Sequence, residues 1–121
     1  MEMKLYIKIN QMLLELGMST RLKGYLYLQA AFYMAIENRG ILNEVKKELY
    51  PGIAKIYNTT DKEVEKAIQS AIEYVWDKGN FDMIHEVFGY TIQAELEKPT
   101  HSKFIALLLD QICLDEMRKE R

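Results

Sequence analysis

Along almost the whole chain, apolar residues recur at steps of three and four, and nowhere do they alternate long enough to suggest a strand. Leu5, Ile9, Met12, Leu13 and Leu16 form the first such series, and Gly17 stands where a helix would stop. Ser19 or Thr20 is placed to cap a second helix, which takes in "GYLYLQAAFYMAIENRG" and ends near Gly40. That segment is apolar around most of its circumference, which predicts a central buried helix with its tyrosines packed in or near the core. A shorter helix is expected over 42–49, broken at Tyr50-Pro51 because a residue preceding proline avoids the α region. Proline itself suits a first helical turn, so a helix over 51–57 follows. Then come Asn58-Thr59-Thr60 and a long helix to Lys78, with Gly79 as its stop. A short helix lies within "GNFDMIHEVFGYT", 91–100 reads as a connection around Pro99, and 101 to about 117 is a final amphipathic helix. The last carries Phe104, Ile105, Leu107, Leu108, Leu109 and Ile112. The expected class is all-α.

A chain of 121 residues fits one domain spanning 1–121 with a single core. Although 49% of it is apolar, no run approaches the ~18 residues that would suggest a membrane span. "MEMKLYIKIN" interleaves charge with apolar residues where a signal peptide would be unbroken. A lone Cys113 excludes an internal disulfide and suits a reducing cytoplasm; on a leucine-rich helix it reads as a small core hydrophobe. The net charge of −2 gives a nucleic-acid reading no help, yet a small basic patch can bind on an acidic surface.

Residues 51–78 carry the marks of a helix-turn-helix. Ala54 is small where a second helix would pack closely, Asn58 tolerates the left-handed region, and Val64 is a branched residue pointing back at the first helix. Thr60-Asp61-Lys62-Glu63 fits a capping box, with Thr60 as N-cap and Glu63 reaching back. At 100° per residue, Val64, Ala67, Ile68, Ala71, Ile72, Val75 and Trp76 share one side. Lys62, Lys66, Gln69, Ser70, Glu73 and Asp77 fall opposite, with Glu63 and Glu65 on the flanks. From Asp61 to Lys78 there are five acids against three lysines, an unusual balance for a helix that is to lie against phosphate.

The strings "KGYLYL" at Lys23–Leu28, "LYP-IAK" at Leu49–Lys55, "NTT" at Asn58–Thr60 and "VE-AI--AIE--W--GN" at Val64–Asn80 then acquire a collective meaning. With "FGYT" at Phe88–Thr91 and "KPT-S-FIA" at Lys98–Ala106, they resemble, over about 10–115, the C-terminal effector domain of the stage-zero sporulation response regulator. That regulator is the master switch of endospore formation in Firmicutes. The resemblance implies a six-helix effector domain of response-regulator type, winged-helix-like but without a sheet. It would dock the second helix of its helix-turn-helix in the major groove of a GC-containing box. It also implies tandem pairing of two copies on DNA, and a surface matching Gly79–Thr91 that meets the housekeeping sigma subunit of RNA polymerase. The polymerase-contact candidates are Asn80, Asp82, His85 and Glu86.

Carried across residue by residue, Glu63, Glu65, Lys66, Gln69 and Ser70 occupy the positions that reach bases or phosphates. With Lys55, Thr60 and Lys62 they make the candidate DNA-binding set. The family pattern has arginines at 63, 66 and 69 and a histidine at 70, and only Glu65 is retained. Glu63 cannot donate to guanine, Lys66 keeps the charge without the fork, and Gln69 can read adenine. The DNA preference is therefore expected to differ from the family's. The family's receiver domain has no counterpart in this sequence, and "MEMKLYIKIN", which forms the first helix without a linker's residue bias, is expected to be the natural start of a free-standing effector rather than of an expressed fragment.

No metal or cofactor is implied: His85 and His101 have no partner at ligand spacing, and both read as surface or packing histidines. There is no phosphate loop or nucleophile elbow, so an enzyme is not expected. Two classes remain. One is a cytoplasmic DNA-binding transcription regulator with altered specificity, monomeric in solution. The other is a protein-interaction module that has lost strong DNA binding and modulates full-length relatives or RNA polymerase.

Overall fold

In the computed structural model, residues 3–89 and 98–119 are described. They form six α-helices and no strand: α1 (Met3–Glu15), α2 (Lys23–Glu37), α3 (Tyr50–Tyr57), α4 (Asp61–Lys78), α5 (Phe81–Phe88) and α6 (His101–Lys119). The expected connection over 91–100 lies mostly outside the described residues.

Gly17 ends α1 as its composition requires. Its φ of 91° admits a Schellman closure, in which Met18 N–H reaches Leu13 O at 3.1 Å and Gly17 N–H reaches Leu14 O at 2.9 Å. The start of α2 differs from expectation. Leu22, not Ser19 or Thr20, is the N-cap, and no side chain caps the helix. Ser19 instead closes the preceding turn, its Oγ accepting from Arg21 N–H at 3.2 Å. Tyr25, Tyr27, Leu28, Ala31, Phe32 and Ala35 of α2 are buried, but Tyr33 is 46% exposed and Leu26 is also on the surface. The helix is central without being enclosed on every side.

Between α2 and α3 the expected helix over 42–49 is replaced by two short irregular turns. A 3-10 turn (Arg39–Asn43) is followed by a π-helical turn (Val45–Leu49) that runs straight into α3. Tyr50 does not break the chain; it is right-handed helical, with φ −62° and ψ −45°. The wide turn explains how. Tyr50 N–H bonds to Val45 O, five residues back, so the register has already widened when Pro51 arrives without an N–H.

The pair α3–α4 forms the helix-turn-helix. Asn58 takes the left-handed conformation, φ 54° and ψ 52°, and Thr59 N–H closes back on Ala54 O at 2.9 Å. Thr60 Oγ1 caps α4 by accepting from Glu63 N–H at 3.2 Å. The Glu63 carboxylate does not return that bond, so only half of the expected capping box forms. Val64, Ile68, Ala71, Ile72 and Val75 are all fully buried, as the apolar period demands. Trp76, partly buried, packs with Phe88 and Phe104 at ring separations of 5.2 and 6.4 Å and ties α4 to α5 and α6.

Across its first turns, α2 meets α4 at Gly24. A Cβ there would sit 2.2 Å from Ala67 O and 2.6 Å from Ala71 Cβ, so the two backbones approach as closely as they do only because both surfaces are small. Gly24→Ala is expected to destabilise the fold. Overpacking costs about 1–3 kcal/mol, and the helical preference of alanine returns at most about 1 kcal/mol. Urea or thermal denaturation checks this; an unchanged or raised midpoint would mean that the crossing can slide apart freely.

Candidate nucleic-acid interface

Packing the Val64–Ile68–Ile72 stripe inward leaves the opposite side of α4 to solvent. Lys62, Glu63, Lys66, Gln69 and Ser70 are exposed there, and Glu65 is half-buried. An open groove of about 510 Å³ is lined by Lys62, Glu63, Glu65, Lys66, Gln69 and His101. Five of the eight residues expected from the sequence thus share one concavity. Ser70 lies off its wall, Thr60 is engaged as the cap, and Lys55 is exposed in the last turn of α3. Among the described residues, Lys55, Lys62 and Lys66 make no ion pair. Lys78, near the other end of α4, has its ammonium 6.0 Å from the Tyr74 ring centroid.

Position by position the sequence did not reveal His101. It is 9% exposed, and the start of α6 carries it against the outer face of α4. Its Nδ1 lies 2.5 Å from the Tyr50 hydroxyl and its Nε2 lies 2.8 Å from Gln69 Oε1. Gln69 Nε2–H in turn donates to Glu73 Oε2 at 3.1 Å. The direction of this chain is fixed from its acidic end. An ionised carboxylate only accepts, so the Gln69 atom facing Glu73 is the amide nitrogen. Gln69 Oε1 therefore faces His101 and receives Nε2–H, leaving Nδ1 to accept from Tyr50. Every member has a partner of the right kind.

Burial sets the protonation of Tyr50 and His101. Desolvation pushes the Tyr50 hydroxyl up to about 12, with the Glu65 charge adding to it, so the tyrosine keeps the proton it donates. His101 is pushed below its ordinary value by desolvation, which outweighs the opposing pull of Glu65. Glu65 thus faces the Tyr50–His101 side of α4.

The surface on α5 is of another kind. Asp82, His85 and Glu86 are exposed, while Asn80 is the N-cap, its side-chain oxygen accepting from Met83 N–H at 3.2 Å. Phe81 is 60% exposed and stacks on the His85 ring. Tyr90 and Thr91, the end of the expected polymerase-contact segment, lie outside the described residues. Cys113 is exposed rather than a core hydrophobe, because Ile112 takes the inward position of that turn. Among the described residues, no cluster of three or more His, Cys, Asp or Glu side chains could hold a metal, and no helix is long and apolar enough to cross a membrane.

Linkage gives a pH signature for the buried pair. The folded-state value of His101 is depressed, so its stabilising contribution is complete above pH 6.5 and is lost as pH falls through the lowered value. Tyr50 is raised, so its contribution is complete below pH 10.0 and is lost as pH rises towards about 12. Melting temperature should fall between about pH 7 and about pH 5, and His101→Gln should reduce that fall. An equal acid loss in both proteins would contradict the assignment.

One comparison with known proteins bears on this face. The family described as sporulation initiation factor Spo0A C terminal matches residues 9–112.

Proposed function

The chain belongs to the Spo0A C-terminal family, a DNA-binding effector family of sporulation initiation and not an enzyme family, and from that premise we propose how it meets DNA. It forms a single effector domain whose helix-turn-helix over 51–78 lays α4 in the major groove of double-stranded DNA. The contact set is Lys55, Thr60, Lys62, Glu63, Glu65, Lys66, Gln69 and Ser70. Its preference differs from the family's GC-containing box, and its affinity is modest. The observation that carries this reading is the open groove on α4, where Lys62 and Lys66, without an ion pair among the described residues, stand beside Gln69. Lysine contacts supply the salt-dependent part of phosphate binding, and a face with only these few should bind weakly.

Further proposals follow the family likeness. The protein is cytoplasmic, monomeric in solution, and pairs in tandem on DNA, where adjacent boxes raise the effective concentration. The exposed Asp82, His85 and Glu86, with Asn80, form the surface for the RNA polymerase sigma subunit. One observation favours the second reading, a protein-interaction module acting on full-length relatives or polymerase. Glu63 and Glu65 line the groove beside the two lysines, so its fixed charges cancel.

A salt titration separates the two. Each phosphate contact contributes about −0.9 to the slope of log affinity against log salt, so Lys55, Lys62 and Lys66, with Lys78 as a fourth cation outside the contact set, predict a slope of about −2 to −4. Lys66→Ala should make it shallower by about one unit. Binding without measurable salt dependence, or none at all, would favour the interaction module.

Specificity has its own test. Glu63→Arg combined with Gln69→Arg restores two guanine donors and reverses the local charge, each good bidentate pair contributing about 1–3 kcal/mol. Affinity for the family's box should rise well above that of the natural chain. A folded double variant that binds no better would mean that α4 is not presented to the groove.

A further inference from the structure

Gln69 would ordinarily read adenine with both ends of its amide, the oxygen accepting from N6–H and the nitrogen donating to N7. Here both ends are already engaged, Oε1 by His101 and one N–H by Glu73. The amide keeps one uncommitted hydrogen, and its oxygen keeps one lone pair next to the bond from His101. We propose that His101 is a positioning residue that sets the base preference of α4, holding Gln69 as a hydrogen-bond donor and so favouring a keto base, guanine or thymine, over adenine. This inference rests on the DNA-binding reading above.

The atoms left free on Gln69 decide which base edge it can meet. Guanine shows N7 and O6 acceptors in the major groove and thymine shows O4, and a lone N–H satisfies any of these. Adenine shows an acceptor and a donor side by side, so reading it would require Oε1 to accept N6–H on its second lone pair, beside the bond from His101, whereas a keto base needs only the free N–H. His101 can hold Oε1 because Tyr50, the first residue of α3, donates to Nδ1 and keeps the hydrogen on Nε2. Glu73, one turn along α4, blocks the alternative orientation of the amide, which would set oxygen against carboxylate. Nothing on α4 alone produces this. The selecting group arrives from the start of α6.

Site selection from a randomised duplex library, with the full chain, reads the effect directly. Gln69→Ala identifies the base pair that depends on this side chain. At that pair the natural protein should select guanine or thymine, and His101→Leu should shift selection towards adenine by about tenfold, with other positions unchanged. His101→Gln retains an N–H donor and should keep the natural preference. Adenine in the natural selection, or an unchanged preference in His101→Leu, would overturn the proposal while leaving DNA binding intact. Failure of the natural chain to enrich any sequence would overturn both. A measurement without DNA guards against misfolding of the leucine variant: nitrogen NMR of the natural protein near neutral pH should show His101 as the Nε2–H tautomer. The Nδ1–H tautomer would refute the arrangement by itself.

Discussion

The fold depends on how closely α2 and α4 approach. Gly24 presents bare backbone to Ala67 and Ala71, and any side chain at that point would strike Ala67 O. Close approach lets Val64, Ile68 and Ile72 sink fully into the layer formed by α2, which in turn fixes the rotation of α4 about its own axis. A helix has only one opposite side. Once the apolar stripe is buried, Lys62, Lys66 and Gln69 have no choice but to face solvent together. The exposed face of α4, the one proposed to read DNA, is thus a consequence of core packing, set by residues on the opposite side of the helix.

A second tie runs along the rim. The π turn ahead of Pro51 places the Tyr50 hydroxyl under the start of α6, and His101 passes the connection on to Gln69. The first helix of the helix-turn-helix, its second helix and the C-terminal helix are therefore joined by polar contacts as well as by the apolar core. Tyr50 and His101 are held strictly, since either one unpaired would lose its hydrogen bond without regaining water, while Gln69 and Glu73 at the other end are within reach of solvent. The cost falls on Gln69, whose amide is less free than its exposure suggests.

Much of this was legible in the sequence, for reasons that differ between residues. Helical period placed Val64, Ile68, Ala71, Ile72 and Val75 inside, because burial of a stripe is a one-dimensional pattern. Asn58 and Gly17 announced their turns, since few residues tolerate a left-handed backbone. Local competition was less legible. Ser19 is a good cap by type but closes the preceding turn, and the wide register before Pro51 is a backbone choice that no side chain signals. Ile112 claimed the inward position that Cys113 was expected to share. His101 was hidden for a different reason: its partners lie 51 and 32 residues away, and only the tertiary fold brings them together.

The central claim is that α4, held by the Gly24 crossing, presents its outer face to the major groove. Backbone amide shifts recorded while a duplex is titrated into the isotopically labelled chain test it most directly. The largest changes should fall on residues 60–70 and on His101, with the α5 surface unmoved. Changes confined to α5, or none on α4 at saturating DNA, would contradict it.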